Sequence, residues 1–356
     1  MPKESLCIKV PKAQGDKTLA LARRLGISDK SLLVWKDDDS ICIPLVHPPT
    51  REQEATLRTQ LPIFQLETRP FTEKKPHNKT LLEVLEKQLP PHLLASLPKA
   101  LDMVGDIAIV EILPELKPHE KLLGNAILET HRNVRTVLAK AGAVIGTYRL
   151  RNFTVIAGEP KTRTLHKEFG CSYQVDVAKA YFSPRLSHEH ERVAQLVQRG
   201  ETVVDMFAGV GPFAVLIAKT QPAVRVYAVD INPEAIELLQ TNIRLNRVEN
   251  RVFPILGDAR KIVEEKLVGV ADRVIMNLPE NAIGFVDAAC KATKQAGGII
   301  HFYAFVRHPD TMENLRTRFV DTVEKAGKHV DTFLLAKTVR ETAPYEWQIV
   351  LDAKIA

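Results

Sequence analysis

Three aspartates in the second half of the chain each stand where a short, valine-rich run ends. These residues are Asp205, Asp230 and Asp258. In a parallel α/β sheet the carboxyl ends of the strands share one edge, and ligands bind there. A carboxylate at that edge can accept hydrogen bonds from the ribose hydroxyls of an adenosine, or hold its amino group. Each acid could instead only cap a helix, but three together favour a nucleoside-containing cofactor.

A glycine turn follows the first of these acids, in the order Asp-Met-Phe-Ala-Gly-Val-Gly-Pro. Gly209 and Gly211 let the backbone approach a ligand closely, and Pro212 suits the first turn of a helix. A dinucleotide site would share this turn, but Asp205 would then face a pyrophosphate and Asp258 would have no nicotinamide role. The pattern therefore favours S-adenosylmethionine over NAD. Four further residues complete the predicted cofactor contacts: Phe207, Ile231, Ala259 and Asn277.

A polar loop, Asn277-Leu278-Pro279, follows the fourth apolar run of this region. An asparagine amide can read a base edge with one donor and one acceptor, and proline stiffens the loop. The alternative is that Asn277 only caps the next helix. Amino-methyltransferases of nucleic acids usually carry Asn/Asp-Pro-Pro-aromatic here. The leucine before the proline and the missing aromatic favour a ring nitrogen as the target.

No metal site is predicted. His188, His190 and Glu191 could ligate zinc, but a solvated helix start with capping charges is the preferred interpretation. The cysteines form no CxxC pair, which favours a reducing compartment and a cytoplasmic location. No run approaches the ~18 apolar residues of a membrane span. The cysteines are Cys7, Cys42, Cys171 and Cys290.

The chain is basic, with 49 Lys and Arg against 43 Asp and Glu, a net charge of +6. This balance suggests a polyanionic partner such as nucleic acid. Between positions 132 and 167 the basic residues face a single acid, Glu159. Phosphate contact and a merely solvated basic face both remain open. The basic residues are Arg132, Arg135, Lys140, Arg149, Arg151, Lys161, Arg163 and Lys167.

The elements that must position these residues follow from apolar periodicity. From about residue 200, short apolar runs alternate with amphipathic, helix-length segments, which is typical of a doubly wound α/β domain. A late pair of runs closes a seven-stranded mixed sheet. The predicted strands are 202–206, 224–229, 252–256, 273–276, 298–302, 330–335 and 347–351.

The first half of the chain predicts two further domains. A small α/β domain spans 1–68, a polar linker spans 69–80, and an α+β middle domain spans 81–180, leaving 181–356 for the cofactor domain. The predicted helices are 17–25, 81–89 and 122–141; the predicted strands are 6–10, 32–35, 41–43, 105–112, 153–157 and 171–177.

Four motifs together resemble the archaeal and eukaryotic tRNA (guanine-37-N1)-methyltransferases, and the resemblance covers essentially the whole chain. The motifs are Asp-Met-Phe-Ala-Gly-Val-Gly-Pro-Phe at 205–213, Asp-Ile-Asn-Pro at 230–233, Asn-Leu-Pro at 277–279 and Tyr-Phe-Ser-Pro-Arg-Leu at 181–186. The resemblance implies a Rossmann-like class I methyltransferase domain. It also implies that the N-terminal domain contacts tRNA. We expect the protein to be a monomer.

Residue roles are also implied by the resemblance. The family's general base is a glutamate sixteen positions before the motif aspartate, which is Glu189 here. A middle-domain arginine stabilises negative charge on guanine O6, matching Arg149, with Arg151 as the alternative. Asn277 would hold the guanine edge. The other implied substrate contacts are Tyr181, Arg185 and Pro279.

Two other functions stay open. Relatives in the wybutosine pathway share most motifs, and they transfer the aminocarboxypropyl group of the same cofactor or methylate a tricyclic base carbon. A non-catalytic tRNA-binding protein would belong to a different class. The three strand-end aspartates and the Asn-Leu-Pro loop are all present, which argues against a protein that has lost its catalytic activity.

Overall fold

The computed structural model describes residues 2–73, 79–142, 146 and 148–356. The chain forms two compact units, Met1–Lys79 and Thr80–Ala356. None of the described helices is long and apolar enough to cross a membrane.

The first unit is an antiparallel sheet with two helices and its own apolar core. Its elements are β1 Lys3–Pro11, α1 Gly15–Arg24, β2 Trp35–Lys36, β3 Ser40–Pro44, α2 Arg51–Gln60 and β4 Gln65–Phe71. The strand order is β2-β3-β1-β4. The strand predicted at 32–35 was wrong except for its last residue. Helix α2 was not predicted, although Thr50 and Gln53 form a capping box at its start.

The first three residues of the predicted linker 69–80 lie in strand β4. Strand β4 runs to Phe71, which pairs with Lys3 and is fully buried. Arg69 lies over the ring of Trp35, so its charge is accommodated beside an aromatic face rather than in a solvated linker. Residues 74–78 of the predicted linker lie outside the described residues.

The second unit begins with a four-stranded sheet in the order β5-β6-β7-β8, packed against helices. Its elements are α3 Leu81–Leu85, α4 Pro91–Ala95, β5 Asp102–Val104, β6 Ile107–Val110, α5 Glu120–Thr130, β7 Thr136–Lys140 and β8 Phe153–Gly158. The helix predicted over 122–141 was wrong in its second half. It ends at Thr130, and Thr136 begins a strand that is hydrogen-bonded on one side to β6 and on the other to β8.

The remainder of the second unit is a hairpin followed by the large sheet with its helices. Its elements are β9 Arg163–Glu168, β10 Cys171–Asp176, α6 Ser187–Leu196, β11 Thr202–Asp205, α7 Pro212–Thr220, β12 Arg225–Asp230, α8 Pro233–Asn246, β13 Val252–Leu256, α9 Ala259–Ile262, β14 Arg273–Met276, α10 Val286–Ala292, β15 Gly298–Arg307, α11 Met312–Lys325, β16 Val330–Ala343 and β17 Glu346–Ile355.

The large sheet is seven-stranded and mixed, as predicted, in the order β13-β12-β11-β14-β15-β17-β16. The first five strands in this order are parallel, and β17 and β16 are antiparallel to their neighbours. The chain steps from β11 through β12 to β13, then returns to place β14 on the other side of β11. This switch opens a crevice at the carboxyl ends of the strands.

Candidate functional site

A cavity of about 990 Å³ lies at this crevice. Nine of the predicted site residues line it: Arg149, Tyr181, Phe207, Gly209, Asp230, Ile231, Asp258, Ala259 and Asn277. The six other predicted site residues are not in its lining: Arg151, Arg185, Glu189, Asp205, Gly211 and Pro279.

The glycine turn has the tight geometry that its sequence predicts. Gly209 and Gly211 have φ values of 55° and 89°, which disfavour a side chain. A Cβ on Gly211 would also lie 2.3 Å from Leu239 Cδ1. The backbone N–H of Gly209 donates to Asp230 Oδ2 at 2.7 Å, which ties the turn to the end of β12. Pro212 opens α7, as predicted.

Asp205 lies behind the cavity wall rather than in it. Its side chain is fully buried, and its Oδ2 has no hydrogen-bond partner among the described residues. Burial, together with the nearby charge of Asp230, raises the Asp205 pKa to about 7, although the backbone N–H of Phe207 opposes the rise. Burial also raises the pKa of Asp230. The site thus holds two acids that a cationic ligand would help to ionise.

Asp258 and Asn277, two further predicted cofactor contacts, differ in their hydrogen bonds within the protein. Asp258 Oδ1 accepts a hydrogen bond from Lys261 N at 3.1 Å and so caps α9, while the residue also lines the cavity. Asn277 is not the cap of the next helical segment, because that cap is Asn281. The Asn277 Oδ1 atom is buried and finds no partner in the described part of the chain. Buried polar atoms are rarely left unpaired, so this oxygen is free for a ligand.

A second cavity of about 1340 Å³ shares Arg149 and Tyr181 with the first. Arg149 has a φ of 55°, a strained value for a residue with a side chain. Its guanidinium lies 4.6 Å from the Tyr181 ring centroid, and one nitrogen is 3.3 Å from Glu280 Oε1. The other cationic residues of this cavity come from distant parts of the chain: Lys140, Arg151, Arg185 and Arg340.

Glu189 lines neither cavity. It is 3% exposed at the start of α6, and three side chains hold its carboxylate. Tyr303 Oη donates at 2.9 Å, Arg192 Nε donates at 2.9 Å, and Lys337 Nζ lies at 2.7 Å. Burial alone would raise the Glu189 pKa, but Arg192, Lys337 and Tyr303 outweigh it and keep the pKa below its usual value. Glu189 is therefore ionised at neutral pH.

Sequence reasoning missed several lining residues. Phe285 packs edge-to-face on Phe207 with centroids 5.1 Å apart, but it follows no local pattern that marks a cofactor contact. Arg340 lines the second cavity from β16, far along the chain from the rest of the site. His190 lines the first cavity, although the sequence favoured a solvated position for it. Only the charge-rich stretch at 188–192 could have drawn attention to it.

Three protein families match this chain. The tRNA methyltransferase 5 N-terminal domain matches residues 7–52, the TYW2 N-terminal domain matches 81–162, and the TRM5/TYW2 methyltransferase domain matches 164–333. The tRNA (guanine(37)-N(1))-methyltransferase Trm5b of Pyrococcus abyssi is 38% identical over 99% of both chains. Its crystal structure aligns over 99% of both chains with a TM-score of 0.74.

Two other relatives differ in how much of the chain they match. The structure of aTrm5 in complex with tRNALeu is 33% identical, covers 99% of this chain and 100% of its own, and has a TM-score of 0.71. The tRNA 4-demethylwyosine(37)-methyltransferase Taw21 of Saccharolobus solfataricus is 35% identical, over 78% of this chain and 99% of its own. The chain belongs to the TRM5/TYW2 family of S-adenosylmethionine-dependent tRNA methyltransferases.

Proposed function

We propose that this protein transfers the methyl group of S-adenosylmethionine to N1 of guanine 37 in tRNA. The observation that carries the proposal is the pair of cavities joined at Arg149 and Tyr181. The first is shaped for a nucleoside cofactor, and the second is lined by five cationic residues and four carboxylates, of which the cations suit the phosphates of a nucleotide. The test is methylation of an unmodified tRNA transcript, followed by nucleoside analysis. A product other than N1-methylguanosine would contradict the proposal.

The residues of the first cavity fit the cofactor. The glycine turn permits close backbone approach, Asp230 and Asp258 offer acceptors, and Asn277 Oδ1 is buried without a partner among the described residues. Asp230 and Asp258 would hold the adenosine, with Phe207, Ile231 and Ala259 beside them. When bound, the cofactor supplies an electrophilic methyl group on a positively charged sulfur.

Glu189 is proposed as the general base. Guanine N1 carries a proton and is a poor nucleophile until that proton is removed. Glu189 is ionised and can accept it, and its helix directly follows the loop of Tyr181 and Arg185. The carboxylate is paired with Lys337, whose side chain is 41% exposed, so Lys337 has to yield or share this position when guanine binds.

Arg149 is proposed to stabilise the negative charge that grows on O6 as the proton leaves. Its position favours it over Arg151, because Arg149 lines both cavities and Arg151 lines only the second. The buried Nε of Arg149 has no partner within the described ranges, so a donor is available.

The remaining proposed substrate contacts surround the same junction. Asn277 would hold the guanine edge, with Pro279 keeping its loop rigid. Tyr181 would position the base, and Arg185 would meet a phosphate. Arg185 now pairs with Asp102, which also lines the second cavity. Phosphate binding would exchange one anionic partner of Arg185 for another.

A wybutosine-pathway reaction is the second candidate, favoured by the match of residues 81–162 to the TYW2 N-terminal domain. The match at 7–52 supports N1-methylation instead, since relatives named for that reaction align with the whole chain. Nucleoside analysis separates the two reactions, because an aminocarboxypropyl product has a different mass. A non-catalytic tRNA-binding protein would give no product.

We propose a domain division that modifies the predicted one. Hairpin β9–β10 is bound to α8, since Asn242 and Asn246 accept from the backbone N–H groups of Gln174 and Ser172. The boundary between the middle and methyltransferase domains is therefore proposed near residue 162 rather than 180. A monomeric state and a cytoplasmic location remain predictions.

Deleting residues 1–79 is expected to weaken tRNA binding by roughly tenfold or more and to flatten its salt dependence, because phosphate contacts are lost. S-adenosylmethionine affinity should not change, since the cofactor cavity and its apolar core lie entirely in the second unit. Filter binding at several salt concentrations and calorimetry would measure the two effects. Loss of cofactor binding would contradict the proposed role of this unit.

Cofactor affinity is expected to fall as the pH falls below about 7. The Asp205 pKa is raised to about 7, so this acid is ionised above that pH and protonated below it. A cofactor with net positive charge favours the ionised form, and a fully coupled proton costs up to about tenfold in affinity per pH unit. Calorimetry between pH 5.5 and 8 would measure the slope. Asp205→Asn should flatten it, and a flat wild-type profile would contradict this coupling.

A further inference from the structure

We propose that Arg192 is a positioning residue that fixes one oxygen of Glu189 and leaves the other to take the guanine N1 proton. Arg192 follows Glu189 by three residues in α6, and it lines neither cavity. Any effect of Arg192 on the reaction would therefore pass through Glu189. The inference rests on the proposed function, in which Glu189 is the general base.

The two carboxylate oxygens of Glu189 have different partners. Oε2 accepts three hydrogen bonds, from Tyr303 Oη at 2.9 Å, Arg192 Nε at 2.9 Å and Arg192 Nη2 at 2.8 Å. Oε1 lies 2.7 Å from Lys337 Nζ. The Lys337 side chain is 41% exposed, and that of Arg192 is 20% exposed. An exposed ammonium on a flexible stem yields its place more readily than a guanidinium fixed by several bonds, so Oε1 is the oxygen that becomes available.

The Lys337 side of Glu189 also faces the proposed substrate. Strand β16 supplies Lys337 and, three residues later, Arg340, which lines the second cavity. Arg340 Nη1 donates to Ser183 Oγ at 3.1 Å, and Ser183 lines both cavities. Oε1 is thus directed toward the strand that borders the proposed nucleotide cavity.

Arg192 is itself anchored by a buried carboxylate from β17. Its Nη1 and Nη2 atoms lie 2.5 and 3.4 Å from the Oδ2 and Oδ1 atoms of Asp352, which is 2% exposed. Burial alone would raise the Asp352 pKa, but His301 and Arg192 outweigh it and lower the pKa. Asp352 is therefore an anion. One edge of the planar guanidinium binds Glu189, and the adjacent edge binds Asp352.

The anchoring carboxylate has a defined orientation. His301 is fully buried, with Nδ1 2.7 Å from Asp352 Oδ1 and Nε2 2.8 Å from Arg273 Nη1. Because an arginine only donates, Nε2 must accept, which leaves the proton of a neutral imidazole on Nδ1. Burial, with the charges of Arg273 and Arg192, lowers the His301 pKa against the opposing effect of Asp352. His301 therefore donates to Asp352, and Arg273 is bound on its far side by Glu201.

This arrangement fixes the direction of the base as well as its charge. The terminal torsion of a glutamate is broad when nothing restrains it. With Oε2 bound by Arg192 and Tyr303, the carboxylate cannot rotate freely, and Oε1 keeps one direction. In the proton transfer the guanine N1–H bond breaks, its electron pair remains on N1 to attack the methyl group, and the proton bonds to Oε1.

The test is single-turnover methylation of unmodified tRNA between about pH 5.5 and 9, with saturating tRNA and S-adenosylmethionine. Arg192→Lys keeps the charge but cannot bind Glu189 and Asp352 along two edges of one plane. Its rate plateau is expected to fall by roughly tenfold to a hundredfold, the scale of a small misplacement of a reacting group, while the acid limb stays near its wild-type pH. Arg192→Met also removes the charge, so the plateau should fall and the acid limb should move to higher pH.

Two further variants separate this role from a loss of stability. Arg192→Met leaves Asp352 as an unpaired buried charge, which destabilises a fold. The double variant with Asp352→Asn removes both charges and should show the same rate profile as Arg192→Met. Asn246→Ala removes a buried side chain that binds the backbone of Ser172. It should lower the melting temperature and keep the wild-type rate profile, and an equal plateau loss in this variant would overturn the assignment.

The Glu189→Gln background tests whether Arg192 acts through Glu189. A positioning residue has little effect once the residue that it positions is gone, so Arg192→Lys should cause little further loss there. An equal loss in both backgrounds would overturn the assignment, and so would a wild-type plateau in Arg192→Lys. Failure of the proposed function gives different results: wild-type protein would form no N1-methylguanosine, or Glu189→Gln would match the wild-type rate.

Discussion

Glu189→Gln is expected to lower single-turnover methylation of tRNA by about 10²–10⁴-fold, the usual contribution of a positioned general base. Glutamine keeps the shape and can still accept a hydrogen bond from Tyr303, but it cannot take the N1 proton. Binding of tRNA and cofactor should persist, because Glu189 lines neither cavity. Rapid-quench measurement at saturating concentrations would isolate the chemical step. A single-turnover rate equal to that of wild type would rule out Glu189 as the base.

Two further variants sharpen this test. Glu191→Gln removes a carboxylate two residues further along the same helix, has no proposed role, and should leave the rate near wild type. Lys337→Met removes one of the groups that lower the Glu189 pKa, so burial should then raise it. Since a carboxylate acts as a base only above its pKa, the acid limb of the rate profile should move to higher pH. An unmoved limb would mean that another group controls it.

Arg149→Met is expected to reduce the methylation rate by about 10²–10³-fold, the typical effect of removing one donor that stabilises developing negative charge. Methionine keeps much of the aliphatic bulk against Tyr181 but offers no donor to O6. Arg149→Lys should recover only part of the rate, because a lysine cannot reproduce the planar guanidinium. Single-turnover kinetics with saturating tRNA would separate this effect from weaker binding.

Arg151→Met is the matched control for Arg149. Arg151 lines only the second cavity, so its loss should weaken tRNA binding more than it slows the chemical step. The opposite result, with a slower chemical step in Arg151→Met and a near-normal one in Arg149→Met, would move the catalytic role to Arg151. The two single variants thus resolve the alternative that the sequence left open.

Local pattern was enough to predict the parallel core of the fold. Strands β11, β12 and β14 carry buried apolar runs, and Asp205 and Asp230 end the first two of them. Helix α8 begins with Asn232 as cap and Pro233 in its first turn. The side chains that follow parallel strands meet at one edge whatever the rest of the chain does. The sequence alone therefore predicts that Asp230, Asp258 and Asn277 lie at one site.

Local pattern failed where long-range pairing decided the conformation. Residues 136–140 fit helical spacing, but β7 lies between two strands, and hydrogen bonds along both of its edges outweigh that weak preference. In the same way, β4 extends to Phe71 because β1 provides a partner along its whole length. Neither partner is visible from the neighbouring sequence.

The sequence by itself thus determined the cofactor turn and the acids at the strand ends. It also determined the succession along the chain of the strands and helices that build the large sheet. Only the tertiary structure decided the environment of each charge. Lys337 and Tyr303, distant in sequence, hold Glu189, while Glu168 holds His190 from a hairpin. Spacing along the chain encodes which face of an element a residue occupies. Burial and ionic partners depend on elements that meet only after folding, and they set which of these groups can hold a proton or a ligand.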